Sequence, residues 1–467
     1  MKKTVISSFV LIIIVFFNAT VARTCWAFSP GKATGHVLLV SDIHFDPLAD
    51  PDPAIVKQLI AAPVSQWKEI FSKQNGYAHA PADANYPLLK SALSAAAAQG
   101  PFDFVIASGD YLRHGFQSAF IEAGGSSSDF PAFATKTAVF VINTVQTMLG
   151  VPVYAALGNN DSASGDYGLD PGSAFLATLA DSLGVLSIDP EATVDFRSAG
   201  FYELPHPTLP NQEIVVLNTV IWSRSYSILG SDSSDPGAAE MQWLARKLYQ
   251  AKTLTHKVIL VMHIPPGIDA NSSCRRGHDQ APIQFWRDSY FTQFLELMRK
   301  YGDIVQIVLA GHTHMDDFRV LGDTGNASPV VFRITPSISP TFGNNPAFSV
   351  LKYDADSGNL SDIANYYLNL ADGGNSPQWV LEYRFPSAYG YNSLTATNLG
   401  ALAQPASMMT RKFAKLSPNT MLFQPHHLLT LPIGFSTPAR RPDSRPMTTP
   451  AVFVARNPAS PQKSRVL

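Results

Sequence analysis

Five short polar clusters in this chain carry the side chains from which a metal site is built: Asp42-Ile-His44, Gly109-Asp110, Gly158-Asn159, His263 and Gly311-His312-Thr313-His314. Carboxylate, amide and imidazole donors suit Zn, Mn, Fe or Co, and no thiolate belongs to the set. Asp42, His44, Asp110, Asn159, His263, His312 and His314 make seven donors, more than the four that one zinc ion takes. A carboxylate shared by two divalent ions, each with three further ligands, uses all seven, so the expected cofactor is a pair of divalent metal ions. Taken singly each cluster says little, because an isolated Asp-x-His is commonly a surface loop and a lone histidine a satisfied polar residue. Their joint order along the chain carries the signal.

Each cluster follows an apolar, β-branched run that reads as a buried strand: His36 to Val40, Phe104 to Ala107, Val151 to Leu157, Val258 to Met262 and Val305 to Ala310, with Ile214 to Leu217 as a further strand. Between them lie segments of helical spacing, at about Tyr86 to Ala98, Phe133 to Leu149, Gly172 to Leu183, Pro236 to Ala251 and Phe285 to Tyr301. Strands alternating with helices predict an α/β fold with the polar clusters at the carboxyl ends of strands, where open sheets gather ligands. Val330 to Ile334 and Phe348 to Tyr353, which follow without a strong helix between them, suggest a second sheet packed beside the first. The expected architecture is a four-layer αββα sandwich, two mixed sheets flanked by helices. The glycines before Asp110, Asn159 and His312 let the backbone turn sharply and approach the ions.

The 467 residues, 46% hydrophobic and 15% charged, suffice for one large core or a core with an appended subdomain. A net charge of -2 gives no general pull toward nucleic acid or anionic membrane, so no nucleic-acid-binding surface is expected and an anionic substrate must be held locally. Lys2, Lys3, the apolar run Val5 to Phe17 and Cys25-Trp26-Ala27 read as a signal peptide over 1-27, with no transmembrane segment after its removal. Cleavage there leaves Cys274 alone, without a disulfide partner, which fits an exported bacterial protein, periplasmic or secreted, better than a disulfide-rich one. Domain boundaries are expected at 35-370 for a catalytic domain, 371-435 for an extension packed on it, and 436-467 for a Pro/Arg-rich disordered tail.

In order and spacing these motifs, with Gly158-Asn159-Asn160-Asp161 included, resemble the calcineurin-like metallophosphoesterase superfamily. Leu217-Asn218-Thr219, His263-Ile-Pro-Pro-Gly267, Gly311 to Arg319, and Thr335 to Pro340 followed by Asn345-Pro346 are similar to the acid sphingomyelinase-like phosphodiesterase and endopolyphosphatase branch. The resemblance spans about Gly35 to Leu402. It implies one ion on Asp42, His44 and His314, the other on Asn159, His263 and His312, with Asp110 bridging, and a bridging hydroxide as nucleophile. The purple acid phosphatase branch is disfavoured, since Arg113 stands where that branch has a tyrosine ligand.

One departure stands out. The superfamily's usual histidine after the asparagine ligand is Asn160 here, an amide that is no general acid near neutral pH. Either His114 supplies the proton to the leaving group, or the substrate has a leaving group good enough to need none. Weaker substrate-binding candidates are Trp222, Arg224 and Tyr226, which could stack on a base or pair with phosphate, and Arg275 and Arg276, with His278, which could grip an anionic group. Asp316 and Asp317 could orient the nearby histidines. The expected function is hydrolysis of a phosphodiester or phosphoanhydride, in a small molecule, nucleotide, polyphosphate or lipid head group. A phosphomonoesterase and a metal-holding protein that has lost turnover are the alternatives, and the chain leaves its oligomeric state open.

Overall fold

The computed structural model describes residues 33–402 except 50–51, 53, 228–234, 277–280, 322–327 and 371–377. The expected leader, the tail from 436 and His278 fall outside the described residues. Among those described, twelve strands form two six-stranded sheets. The first orders β12 (Trp379–Arg384), β11 (Leu360–Leu368), β10 (Ala347–Asp354), β1 (Thr34–Val40), β2 (Phe104–Ala107) and β3 (Val153–Ala155). The second orders β4 (Tyr202–Pro205), β5 (Gln212–Val216), β6 (Lys257–Val261), β7 (Val305–Ala310), β9 (Val330–Ile334) and β8 (Asp317–Leu321).

Both sheets are mixed and flanked by helices. β1, β2 and β3 run parallel, while β10, β11 and β12 pair antiparallel beside them. In the other sheet β5, β6, β7 and β9 are parallel and the two edges, β4 and β8, are antiparallel. The parallel strands are buried almost throughout, as expected where helices cover one face and a second sheet the other. That burial explains why they read as continuous apolar runs instead of alternating ones.

The strands divide between the sheets differently from the sequence expectation. Val330–Ile334 joins β5, β6 and β7, whereas the Phe348 to Tyr353 run belongs to β10 and pairs with β1 from the opposite end of the chain. Hydrophobicity marks both runs as buried, but the pairing of residue 36 with residue 352 is a long-range choice that local pattern does not contain. The sheets meet through apolar side chains and a few shared hydrogen bonds, among them Tyr202 Oη to the Ala155 carbonyl, which together with the bond from Ala155 N ties β4 to β3. Tyr353 of β10 reaches Thr208 at 2.7 Å. The carboxyl ends of β1, β2 and β3 thereby face those of β6 and β7 across the seam.

Candidate metal centre

The loops leaving β1, β2, β6 and β7 bring Asp42, His44, Asp110, His263, His312 and His314 into one buried cluster. Three groupings, Asp42-His44-Asp110, Asp110-His263-His312 and His44-His114-His314, each keep their potential ligand atoms within 4.8 Å of one another. His114 belongs to the third, and Asp110 to the first two. Its Oδ2 lies 3.4 Å from His44 Nε2 and 3.2 Å from His263 Nε2, so a single oxygen stands between the two halves. His314 Nε2 is 3.5 Å from Asp42 Oδ1 and 3.1 Å from His44 Nε2.

The local backbone explains the convergence. Asp42, His44, Asp110, His312 and His314 all have positive φ, a conformation that costs a non-glycine residue on the order of 1–3 kcal/mol and persists only where surroundings enforce it. Two glycines make the close approach possible. A Cβ on Gly158 would collide with the Asp110 carboxylate, and one on Gly311 with the Ser41 hydroxyl, so neither position accepts a larger residue without moving a ligand loop. Asp161 locks the arrangement: its carboxylate accepts from the backbone N–H groups of Asp110, Tyr111, Leu112 and Gly158 at 2.7–3.1 Å, joining the β2 and β3 loops.

The donors fit divalent ions by what they leave unused. His263 Nδ1 donates to the Ser108 carbonyl at 2.7 Å, which orients the ring and turns its buried Nε2 toward Asp110, where it could serve a metal ion. His44 Nδ1 likewise meets the Leu112 carbonyl at 2.9 Å, which turns its Nε2 toward His314 Nε2, 3.1 Å away, a pair of ring nitrogens that a cation could join. Asn159 donates its amide to Asp166 at 2.7 Å, and its buried Oδ1 is left over. Unpartnered buried acceptors are costly, and a metal ion satisfies all of them.

Charge is concentrated here. Burial pushes Asp42 and Asp110 toward neutrality, yet the neighbouring imidazoles outweigh it and hold both carboxyls well below the usual range. Against the same burial, Asp110 and Asp42 raise His44 and His263 to about 9. Burial dominates for His312, brought down to about 4, and for His314, brought down to about 3.

The two remaining candidates at the centre part company. Asn160 turns inward, its backbone N–H bonding Asp110 Oδ1 at 2.8 Å and its side-chain amide Asp110 Oδ2 at 3.0 Å. His114 instead stacks on His44 with ring centroids 3.9 Å apart, its ring more than a third exposed, and gives Nδ1 to Asp83 at 3.0 Å. Burial raises the Asp83 carboxyl, but its hydrogen bonds with His114 prevail and bring it to about 2. Asp83 and Asp166 were not singled out from sequence, and Asp161 entered only as the last residue of Gly158-Asn159-Asn160-Asp161. Asp161 had a signal in its place next to Asn159-Asn160, whereas Asp83 lies in a loop with no pattern of its own.

The proposed substrate contacts fare otherwise. Trp222 is fully buried against Trp286 and Tyr290, with its indole N–H on the Gly237 carbonyl, and Tyr226 is buried with its hydroxyl on the Leu169 carbonyl. Both are core packing, so the expected stacking on substrate is corrected. Arg224 pairs with Asp288 and bonds the Trp286 carbonyl, so its guanidinium ties down a helix start. Arg275 and Arg276 are exposed at the end of the short helix Ala270–Arg276. Asp316 faces Arg333, Asn365 and Tyr383, and among the described residues no hydrogen bond joins it to a histidine.

Residues 35–316 match the calcineurin-like phosphoesterase family, and residues 325–423 match the acid sphingomyelin phosphodiesterase C-terminal region. The human cyclic GMP-AMP phosphodiesterase SMPDL3A is 26% identical over 329 residues, 67% of this chain and 70% of the relative. Sphingomyelin phosphodiesterase B of Dictyostelium discoideum is 25% identical over 440 residues, covering 90% of this chain and 62% of the relative. Human sphingomyelin phosphodiesterase is 29% identical over 375 residues, 76% of this chain and 54% of the relative. None of these relatives is bacterial, so the bacterial origin inferred from cysteine usage finds no support. The family uses divalent metals, and the donor set described above suits them. The chain therefore belongs to the calcineurin-like phosphoesterase family, as a phosphoric ester hydrolase of its acid sphingomyelinase-like phosphodiesterase branch.

Proposed function

We propose that the chain is an exported phosphodiesterase working with two divalent ions, one on Asp42, His44 and His314, the other on Asn159, His263 and His312, with Asp110 shared. The observation that carries this reading is the position of Asp110 Oδ2 between His44 Nε2 and His263 Nε2, at 3.4 and 3.2 Å. Bound ions of this kind supply an activated water and neutralise phosphate charge. The chain's own groups do the rest. Asn160 holds the shared carboxylate by two hydrogen bonds, and Asp161 fixes the loops that present it. His114, with Asp83 on Nδ1, offers its Nε2–H to the oxygen of the departing alcohol as the P–O bond breaks, and the Asp83 carboxylate stabilises the imidazolium before that transfer.

Substrates in keeping with the relatives' names are a cyclic dinucleotide and a phosphocholine-bearing lipid, and a polyphosphate suits the same centre. Export rests on the leader-like first 27 residues, and no helix among the described residues is long and apolar enough to cross a membrane. Rates on bis-p-nitrophenyl phosphate and p-nitrophenyl phosphate, with metal content measured in parallel, test the proposal. The diester is expected to be the better substrate, and both rates are expected to vanish on chelation and return with Mn, Zn or Co. Full turnover in protein shown to be metal-free defeats it.

A further inference from the structure

Phe342 is an exposed large hydrophobic residue, 58% accessible, and it stands against the site. Its ring meets His314 edge to face with centroids 4.6 Å apart and His114 at 5.3 Å. The ring is held in place by a turn tied down through several hydrogen bonds. Gly343 N bonds the Pro340 carbonyl at 2.8 Å, Thr341 Oγ1 the Pro81 carbonyl at 2.9 Å, and Asn344 Nδ2 the Ser339 carbonyl at 2.9 Å. The same turn sends Ser339 Oγ to Asp83 Oδ1 at 2.8 Å, the carboxylate that holds His114. One segment thus sets both the orientation of His114 and the aromatic surface beside it.

We infer that Phe342 is a specificity-determining residue, the wall against which the leaving alcohol packs, and that it selects substrates whose leaving alcohol carries a planar apolar ring close to the ester oxygen. The inference rests on His114 marking the leaving-group side. A ring packed on the free face of Phe342 gains an aromatic contact worth roughly 0.5–1.5 kcal/mol beyond its area burial, that is about 2- to 12-fold in rate. A methyl group has no such face.

The test compares benzyl methyl phosphate with dimethyl phosphate, whose leaving alcohols differ little in basicity, on metal-replete protein. The wild type is expected to prefer the benzyl ester in kcat/KM, and Phe342→Ala to lose about 2- to 12-fold of that preference, with metal content unchanged. Phe342→Tyr is expected to keep the preference. His114→Gln is expected to slow both esters by the same factor, so a failure of the proton-donor reading shows as a harmless His114→Gln and is separable from the fate of Phe342. Unchanged benzyl preference in Phe342→Ala overturns the inference. So does an equal loss on both esters or a loss of metal, either of which would make Phe342 a prop for His314 and nothing more.

Discussion

His114 and Asn160 show how much hangs on where a side chain points. Both follow an expected ligand, Asn160 in the place of the usual proton donor and His114 as the candidate to replace it, and His114 pairs an accessible ring with a buried carboxylate. Asn160 spends its amide on Asp110. His114→Gln is therefore expected to slow esters with alkoxide leaving groups by about 100- to 10,000-fold while leaving p-nitrophenyl esters nearly untouched, because a weakly basic phenolate departs without a proton. Asn160→Ala is expected to lower both classes together, along with metal content, since it removes the side-chain hydrogen bond that holds Asp110 and touches nothing on the leaving group. Steady-state rates on matched alkyl and p-nitrophenyl diesters distinguish the two patterns. Equal sensitivity of both esters to His114→Gln would return it to a packing role.

At the scale of elements, the strands that end in ligands were legible because buried parallel strands are compact apolar runs: β2 and β7 have the bounds that hydrophobicity alone suggests. The antiparallel edges β4, β8 and β12 were not, and their mixed burial patterns explain it, for β12 exposes Val380 and Leu381 in its middle. The same limit hid charges placed inside an element. Glu240, on the buried face of the helix Pro236–Thr253, accepts from Asn218 N at 2.6 Å, and burial pushes its carboxyl up from 4.5 to about 8. A folded-state pKa above the unfolded value means that Glu240 favours the fold fully below about pH 4.5 and that this advantage is lost as pH rises through about 8. Glu240→Gln keeps an acceptor for Asn218 without the titration. Urea midpoints between pH 5 and 8 are expected to fall less steeply in Glu240→Gln than in the wild type, and parallel slopes would contradict the assignment.

Across the whole molecule, one family match ends at residue 316 and the other begins at 325, yet side chains from the two regions share one buried network. Asp316, two residues beyond His314, pairs with Arg333 of β9 and accepts from Asn365 of β11 and from Tyr383 of β12 at 2.7 Å. Arg333 also reaches Asn365 at 3.1 Å, and Ser349 of β10 bonds Asn365 at 2.5 Å. This buried network spans both sheets, and Phe385, Tyr389, Leu394 and Leu399 lie over it. A cut at 370, between the expected catalytic domain and the extension expected to pack on it, would separate β12 and these covers from the charges they shield. Opening one side of a buried ion pair costs about 3–5 kcal/mol, a large part of a domain's stability. A chain ending at residue 370 is accordingly expected to be insoluble or unfolded, whereas one ending at 435, which spares the matched C-terminal region and removes only the Pro/Arg-rich segment, is expected to keep its fold and turnover. Tyr383→Phe is the gentler probe: it removes one donor to Asp316 and is expected to lower the thermal midpoint by a few degrees, as a loss of about 1–2 kcal/mol would. Circular dichroism melts of the three proteins check this, and a folded, active chain ending at 370 would show that the phosphoesterase region stands alone and that the network only decorates it.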